Sequence, residues 1–369
     1  MSMIASSVGA AFFPAQGIIK SKPAGLHVKA NGRASPSIDG PKVTVGLEGT
    51  NASSTRKFMN LLPDWSMLLA AFTTIFEKQK VVVDQFRFGH DRLVYSENFT
   101  IRSYEIGADQ TASIETVMNL LQETGINCFR SLGLLLDGFD STVEMCKRDL
   151  IWVVTRMQVI VDHYPSRGDT VEVETHCGAY GKHGHRREWL IRNSKTGQIL
   201  TRATSVLVVM NKRTRRLSIL PDEVRRELEP YFMENLSVMK DQGRKLPKVD
   251  HSIADYVRQG LTCQWSDLDI NQHVNHIKYV KWIFESVPVS ILESHEISSM
   301  TLEFKRECGK DSMLQSLTAV VSGRRVDGSV EETDVEFQHL LQLEDGPEVM
   351  RGTTKWRPKS TLFPNSISH

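Results

Sequence analysis

Ile114-Glu115-Thr116-Val117-Met118-Asn119-Leu120-Leu121 sets Ile114, Val117, Met118 and Leu121 at i, i+3, i+4 and i+7. That spacing puts one apolar stripe on an amphipathic helix. After it, Val171-Glu172-Val173-Glu174-Thr175 alternates apolar with polar as a half-buried strand does, and Ser205 to Met210 (SVLVVM) is apolar enough for a fully buried one. The order then returns. Ile277, Val280, Phe284 and Val287 form a second helical stripe, and Leu314 to Val321 reads as the rough counterpart of Ser205 to Met210.

Each half is therefore a short strand, a turn, one long helix and a run of antiparallel strands, from Tyr95 to about Met210 and from Leu261 to about Trp356. One helix wrapped by an antiparallel sheet is an α+β layer architecture, the hotdog arrangement, here expected twice in tandem. Laying Tyr104 on Ser266 matches Gly107 with Asp269, Asp109 with Asn271, Thr111 with His273 and Glu123 with Glu285. The expected domains are 90–215 and 259–358, joined by a linker over 216–258 that holds a short helix near Glu223–Leu228.

The ends read differently. Residues 1–56 carry six Lys/Arg, only Asp39 and Glu48 as acids, and eleven Ser/Thr. A segment so poor in acids and rich in hydroxyls predicts a disordered transit peptide. In the 57–89 segment that follows, Met67 to Phe76 (MLLAAFTTIF) is apolar for ten residues, half of the roughly twenty that span a bilayer. No transmembrane helix is expected. A disordered tail is expected over 359–369.

Over 369 residues the net charge is +1, which singles out neither a nucleic-acid binder nor a membrane-surface protein. The five cysteines, Cys128, Cys146, Cys177, Cys263 and Cys308, are widely spaced and form neither a CxxC pair nor a Cys/His cluster. No disulfide framework, metal site or cofactor is expected, and a reducing compartment fits.

The densest chemistry is Trp265 to His276 (WSDLDINQHVNH). If extended, this stretch aims Asp269, Asn271 and His273 to one side, just before a helix whose first N–H groups are free for a developing oxyanion. N-capping explains any one of these residues, but not all three together. Leu302 to Gly309 (LEFKRECG) supplies the other candidates, Glu307 and Cys308, which a strand would point to opposite faces. Two schemes stay open. Cys308 could attack as a nucleophile assisted by His273 and Asn271. Alternatively Glu307 and Asp269 work with His273, and Cys308 is packing; this is preferred, since buried cysteine commonly behaves as a small hydrophobe.

Five segments in order then resemble the plant acyl-acyl carrier protein thioesterases: SYEIGADQTASIETVMNLLQETG from Ser103, EMCKRDLIWVVTRMQV from Glu144, LTRATSVLVVMNKRTRRLS from Leu200, SDLDINQHVNHIKYVKW from Ser266, and LEFKRECG. Trp65 to Phe76 (WSMLLAAFTTIF) resembles the FatB class, which prefers saturated chains. The resemblance implies a plastid stromal hydrolase, a double-hotdog monomer or a dimer of such chains, with acyl carrier protein as partner. It carries over Asp269, Asn271, His273 and Glu307 as catalytic, and Cys308 as the alternative nucleophile. His276 stands where Asn is usual, and His176 where Trp is common.

The first half has Gly107, Asp109 and Thr111 in the matching places, so it is expected to hold the acyl chain. The walls expected for that chain are Met118, Leu121, Cys128, Phe129, Leu135 and His176, with a lean toward medium length. An acidic carrier needs a basic surface, and Lys182, Arg186, Arg187, Arg213, Arg215 and Arg216 are the docking candidates.

Overall fold

The computed structural model describes residues 86–89, 92–135, 141–234, 238–239, 245–322, 333–344 and 346–359. The transit-peptide expectation, the Met67 to Phe76 run and the tail beyond Lys359 lie outside the described residues.

Ser113 starts the first helix, its hydroxyl accepting the N–H of Thr116 at 3.0 Å. Helix α1 (Ile114–Ser131) follows, with Glu115 in its first turn and Arg130 in its last, both favourable to the helix dipole. The expected stripe is its buried face: Ile114, Val117, Met118 and Leu121 are all buried. Removing a side chain such as Leu121 costs about 2–5 kcal/mol in a close-packed core.

The strands are β1 (Phe86–Gly89), β2 (Arg92–Thr100), β3 (Leu150–Val161), β4 (Thr170–Tyr180), β5 (Gly184–Asn193), β6 (Ile199–Asn211), β7 (Tyr256–Thr262), β8 (His295–Phe304), β9 (Met313–Ser322), β10 (Val335–Leu343) and β11 (Glu348–Pro358). Among the described residues the other α-helices are α2 (Val143–Cys146), α3 (Asp222–Leu228), α4 (Tyr279–Phe284) and α5 (Val289–Ser294). All strands join one antiparallel sheet in the order β1-β2-β4-β5-β6-β3-β8-β11-β10-β9-β7.

That order shows the duplication. Numbering each half's strands in sequence from β2 and from β7, both halves run second, fifth, fourth, third, first outward from the β3–β8 seam. The seam pairs Met157 with Leu302 and Val159 with Met300, all buried, so both halves share the apolar layer beneath it. At its edge Arg156 Nη1 reaches Glu303 Oε1 at 2.5 Å. Burial alone would raise the Glu303 carboxyl, but Lys305, the Leu246 N–H and Arg156 outweigh it and hold it below the usual carboxylate range.

Two expectations are corrected. The second helix is not long: a 3₁₀ turn at His276–Lys278 runs into the six residues of α4. The chain then turns through Ser286 and Val287 to Pro288, and the residue before a proline disfavours helical backbone. The topological counterpart of β6 is also β11, not β9, because each is the fifth strand of its half.

Candidate active site

Asp267 to Asn275 is folded as a tight turn. Leu268 bridges Val274, Asp269 N–H donates to His273 O at 2.8 Å, and Gln272 takes φ +62° at the apex. The stretch is thus not extended, which corrects the alternation argument. It is the turn that gathers Asp269, Asn271 and His273. Val274 N–H donates to Cys308 O at 2.9 Å, which lays this turn beside the Lys305–Gly309 segment.

The turn also fixes each side chain. Asp269 Oδ1 accepts the N–H of Asn271 at 2.8 Å and of His273 at 3.3 Å, so Oδ2 is the oxygen left for other work. His273 Nδ1 lies 2.8 Å from Asn271 O. A carbonyl only accepts, so Nδ1 carries the proton and Nε2 presents its lone pair. Arg215 Nη2 also sits 3.4 Å from Nδ1. Two donors cannot bond each other, and the shorter carbonyl contact sets the tautomer.

Glu307 forms no hydrogen bond with His273. Its carboxylate is gripped by Arg215, Nε to Oε2 at 3.0 Å and Nη2 to Oε1. Cys308 is 1% exposed, its N–H donating to Tyr279 Oη at 3.1 Å, and burial pushes its thiol up. Glu307 lines the cavity and Cys308 is among the core residues.

That cavity, of about 890 Å³, takes its walls from both halves. Asp269, Asn271, His273, Arg215 and Glu307 share it with Phe129, Leu150, Trp152, Met157 and Trp189. A polar end joined to an aromatic and aliphatic chamber suits a ligand with a reactive head and an alkyl tail.

Of the expected chamber walls, Phe129 and Leu135 line it, whereas Met118, Leu121, Cys128 and His176 do not. The helix shows the cavity a neighbouring stripe, Gln122, Gly125, Ile126 and Phe129. His176 instead sits 3.5 Å from Glu188, and burial raises the Cys128 thiol.

The docking set is corrected too. Arg187 is 3% exposed and stacks over Phe129 at 4.4 Å, Arg186 pairs with Glu188 at 2.8 Å, and Arg215 faces the cavity. Lys182, Arg213 and Arg216 are exposed.

Sequence reasoning missed Gln122 and Asn275. Asn275 Oδ1 caps Ile277 N–H at 3.0 Å, which turns its Nδ2 toward Gln122 Oε1 at 3.2 Å and ties α1 to the second half. Its place before a helix, with the amide of an Asn, was the available signal.

Fold and cavity together define a double-hotdog enzyme for a head-and-tail substrate. Family models described as the acyl-ACP thioesterase N-terminal domain and C-terminal domain match residues 92–228 and 250–358, and one described as acyl-ATP thioesterase matches 15–87. The chloroplastic palmitoyl-acyl carrier protein thioesterase of Gossypium hirsutum is 55% identical, across 97% of this chain and 96% of that protein. The chloroplastic dodecanoyl-[acyl-carrier-protein] hydrolase of Umbellularia californica is 53% identical, across 85% and 84%.

The solved 12:0-ACP thioesterase from Umbellularia californica superposes with TM-score 0.67 at 55% identity, covering 72% of this chain and 94% of that one. An acyl-ACP thioesterase from Bacteroides thetaiotaomicron, 18% identical, shares the fold with TM-score 0.57 over 72% and 98%. The chain belongs to the acyl-acyl carrier protein thioesterase family. Its reaction is hydrolysis of the thioester that joins an acyl group to its carrier.

Proposed function

We propose that the chain ends fatty acid elongation in the plastid by releasing saturated acyl groups, of the palmitoyl and dodecanoyl classes, from acyl carrier protein. Plastid placement rests on relatives named chloroplastic, and the substrate classes on the names of proteins about equally similar to this one. The observation that carries the chemistry is the shared cavity, which opens Asp269, Asn271, His273 and Glu307 onto the aromatic chamber of the first half.

Asp269 Oδ2, uncommitted because Oδ1 is held by the turn, takes a proton from water or attacks the carbonyl. The proton that Asp269 takes from water passes to the lone pair of His273 Nε2 and on to the departing sulfur, as the tetrahedral intermediate collapses to free acid and carrier thiol. If Asp269 attacks instead, water deprotonated by Nε2 opens the resulting anhydride and that proton goes to the thiolate. Asn271 fixes the imidazole through its carbonyl. At the start of the second helix, Asn275 engages the N–H groups of both Ile277 and Lys278. The His276 N–H is the donor left to receive the oxyanion.

The carrier docks where two loops meet. Leu220 N–H donates to Lys182 O at 3.0 Å, placing Lys182 and Tyr180 beside exposed Leu217 and Ile219, with Arg213 and Arg216 on the same loop. Leu217 also lines the cavity, so the patch borders the site, and its charge would steer an acidic partner at low salt.

Following free thiol with palmitoyl groups on carrier protein and on coenzyme A tests this reading. A kcat/KM at least about tenfold higher on the carrier supports it. Equal values, or a preference for coenzyme A, overturn the carrier as substrate.

A further inference from the structure

We infer that Arg215 is a positioning residue through which the first domain holds Glu307 in its working orientation. The inference rests on the reading that Glu307 serves the reaction.

Arg215 lies 92 positions before Glu307, in the turn after β6, and crosses from one half to the other to meet it. The contact is a fork: Nε bonds one carboxylate oxygen at 3.0 Å and Nη2 the other. Two parallel bonds fix both the position and the plane of the carboxylate, which a single cation cannot do. The side chains are 26% and 28% exposed, so the pair is partly shielded from water.

The backbone is bent to make this contact. Arg215 sits at φ +54°, a left-handed conformation that a side-chain-bearing residue rarely adopts. Asn211 enforces it: its Oδ1 accepts Arg213 N–H at 3.1 Å and Thr214 N–H at 2.8 Å, and its carbonyl accepts Arg215 N–H at 2.9 Å. Only after this turn does the guanidinium reach the cavity. Strain kept at a site and supported by neighbouring bonds marks a constrained role.

The strand that leads into the turn supplies Ser205, Leu207 and Met210 to the wall of the acyl chamber. The element that touches the substrate tail thus also carries the clamp on Glu307. Asp269, Asn271, His273 and Glu307 all belong to the second half, while the clamp that orients Glu307 comes from the first.

The test uses the full-length enzyme with acyl carrier protein substrate and four variants: Arg215→Ala, Arg215→Lys, Glu307→Gln, and Arg215→Ala with Glu307→Gln. Arg215→Ala should lower kcat about 10- to 100-fold while KM moves less than about threefold, because a misplaced group harms chemistry more than binding. Added methylguanidinium should restore part of that kcat. Arg215→Lys, which keeps the charge without the fork, should fall between and guards against a failure of the alanine variant to fold.

Glu307→Gln should be slow, and the double variant no slower than it within about threefold, since both changes remove one unit. A risen KM with unchanged kcat in Arg215→Ala, erased by salt, would make Arg215 a docking residue and overturn the inference. Losses that multiply in the double variant would do the same. If Glu307→Gln turns over normally, the underlying reading of Glu307 fails; if it is slow and Arg215→Ala is normal, only the inference fails.

Discussion

Gln110 and Gln272 hold the same place in the two domains, at φ +63° and +62°. Each sits at the apex of one and the same turn. Gly107 N–H donates to Thr111 O at 2.9 Å in the first domain as Asp269 N–H does to His273 O at 2.8 Å in the second, and Ile106–Ala112 and Leu268–Val274 are the flanking bridges. The backbone turn is repeated, and only the second copy places Asp269, Asn271 and His273 on it.

Equal strain with unequal chemistry makes a paired prediction. A β-branched residue tolerates positive φ poorly, so Gln110→Val and Gln272→Val should each lose about 1–2 kcal/mol of stability. Gln272→Val should also slow turnover by displacing Asp269 and His273, whereas Gln110→Val should leave kcat near wild type. Urea unfolding and thiol release measure the two effects; equal kcat losses in both variants would show that the second turn has no special part in the chemistry.

Cys308 is a buried neighbour whose thiol burial keeps protonated. Cys308→Ala should therefore retain most activity and lose about 1 kcal/mol of stability from the small void it leaves. Glu307→Ala should be severely slowed. Abolished turnover in the cysteine variant, with the glutamate variant spared, would restore the nucleophilic cysteine.

His339 is fully buried between Thr318 Oγ1 at 2.9 Å and Thr354 Oγ1 at 2.7 Å, and desolvation pulls it down to about 3; His276, half-buried at the cavity wall, is pulled down by desolvation to about 4. In the unfolded chain each protonates near 6.5. Stability is then complete above that pH and declines as pH falls toward the folded values, by about 1.4 kcal/mol per pH unit for each ring. Urea midpoints taken between about pH 6 and pH 4.5 should fall less steeply in His339→Gln than in wild type. Parallel slopes would mean that His339 is not buried neutral.

The sequence was most legible where one face met one environment. The stripe of Ile114, Val117, Met118 and Leu121 named the buried side of α1, and matching Gly107 with Asp269 found a turn that the backbone repeats. The stripe did not separate packing from lining, because Phe129 toward the cavity and Leu121 toward the sheet are equally apolar in sequence. Arg215 was illegible for a different reason. In a run of lysines and arginines nothing local marks the one whose backbone turns inward, and its partner lies in the other domain. Burial of Arg187 depended likewise on the β5 register and on stacking against Phe129.

The shared cavity matters only if Asp269 drives hydrolysis there, and Asp269→Asn isolates that. The amide keeps an Oδ1 acceptor for the Asn271 and His273 N–H groups, so the turn should survive while the carboxylate is lost. With palmitoyl-loaded carrier protein, wild type should release free thiol and free acid in equal amounts, and the variant should be slower by about 10²- to 10⁴-fold at unchanged melting temperature. A folded Asp269→Asn enzyme within about threefold of wild-type kcat would contradict the account.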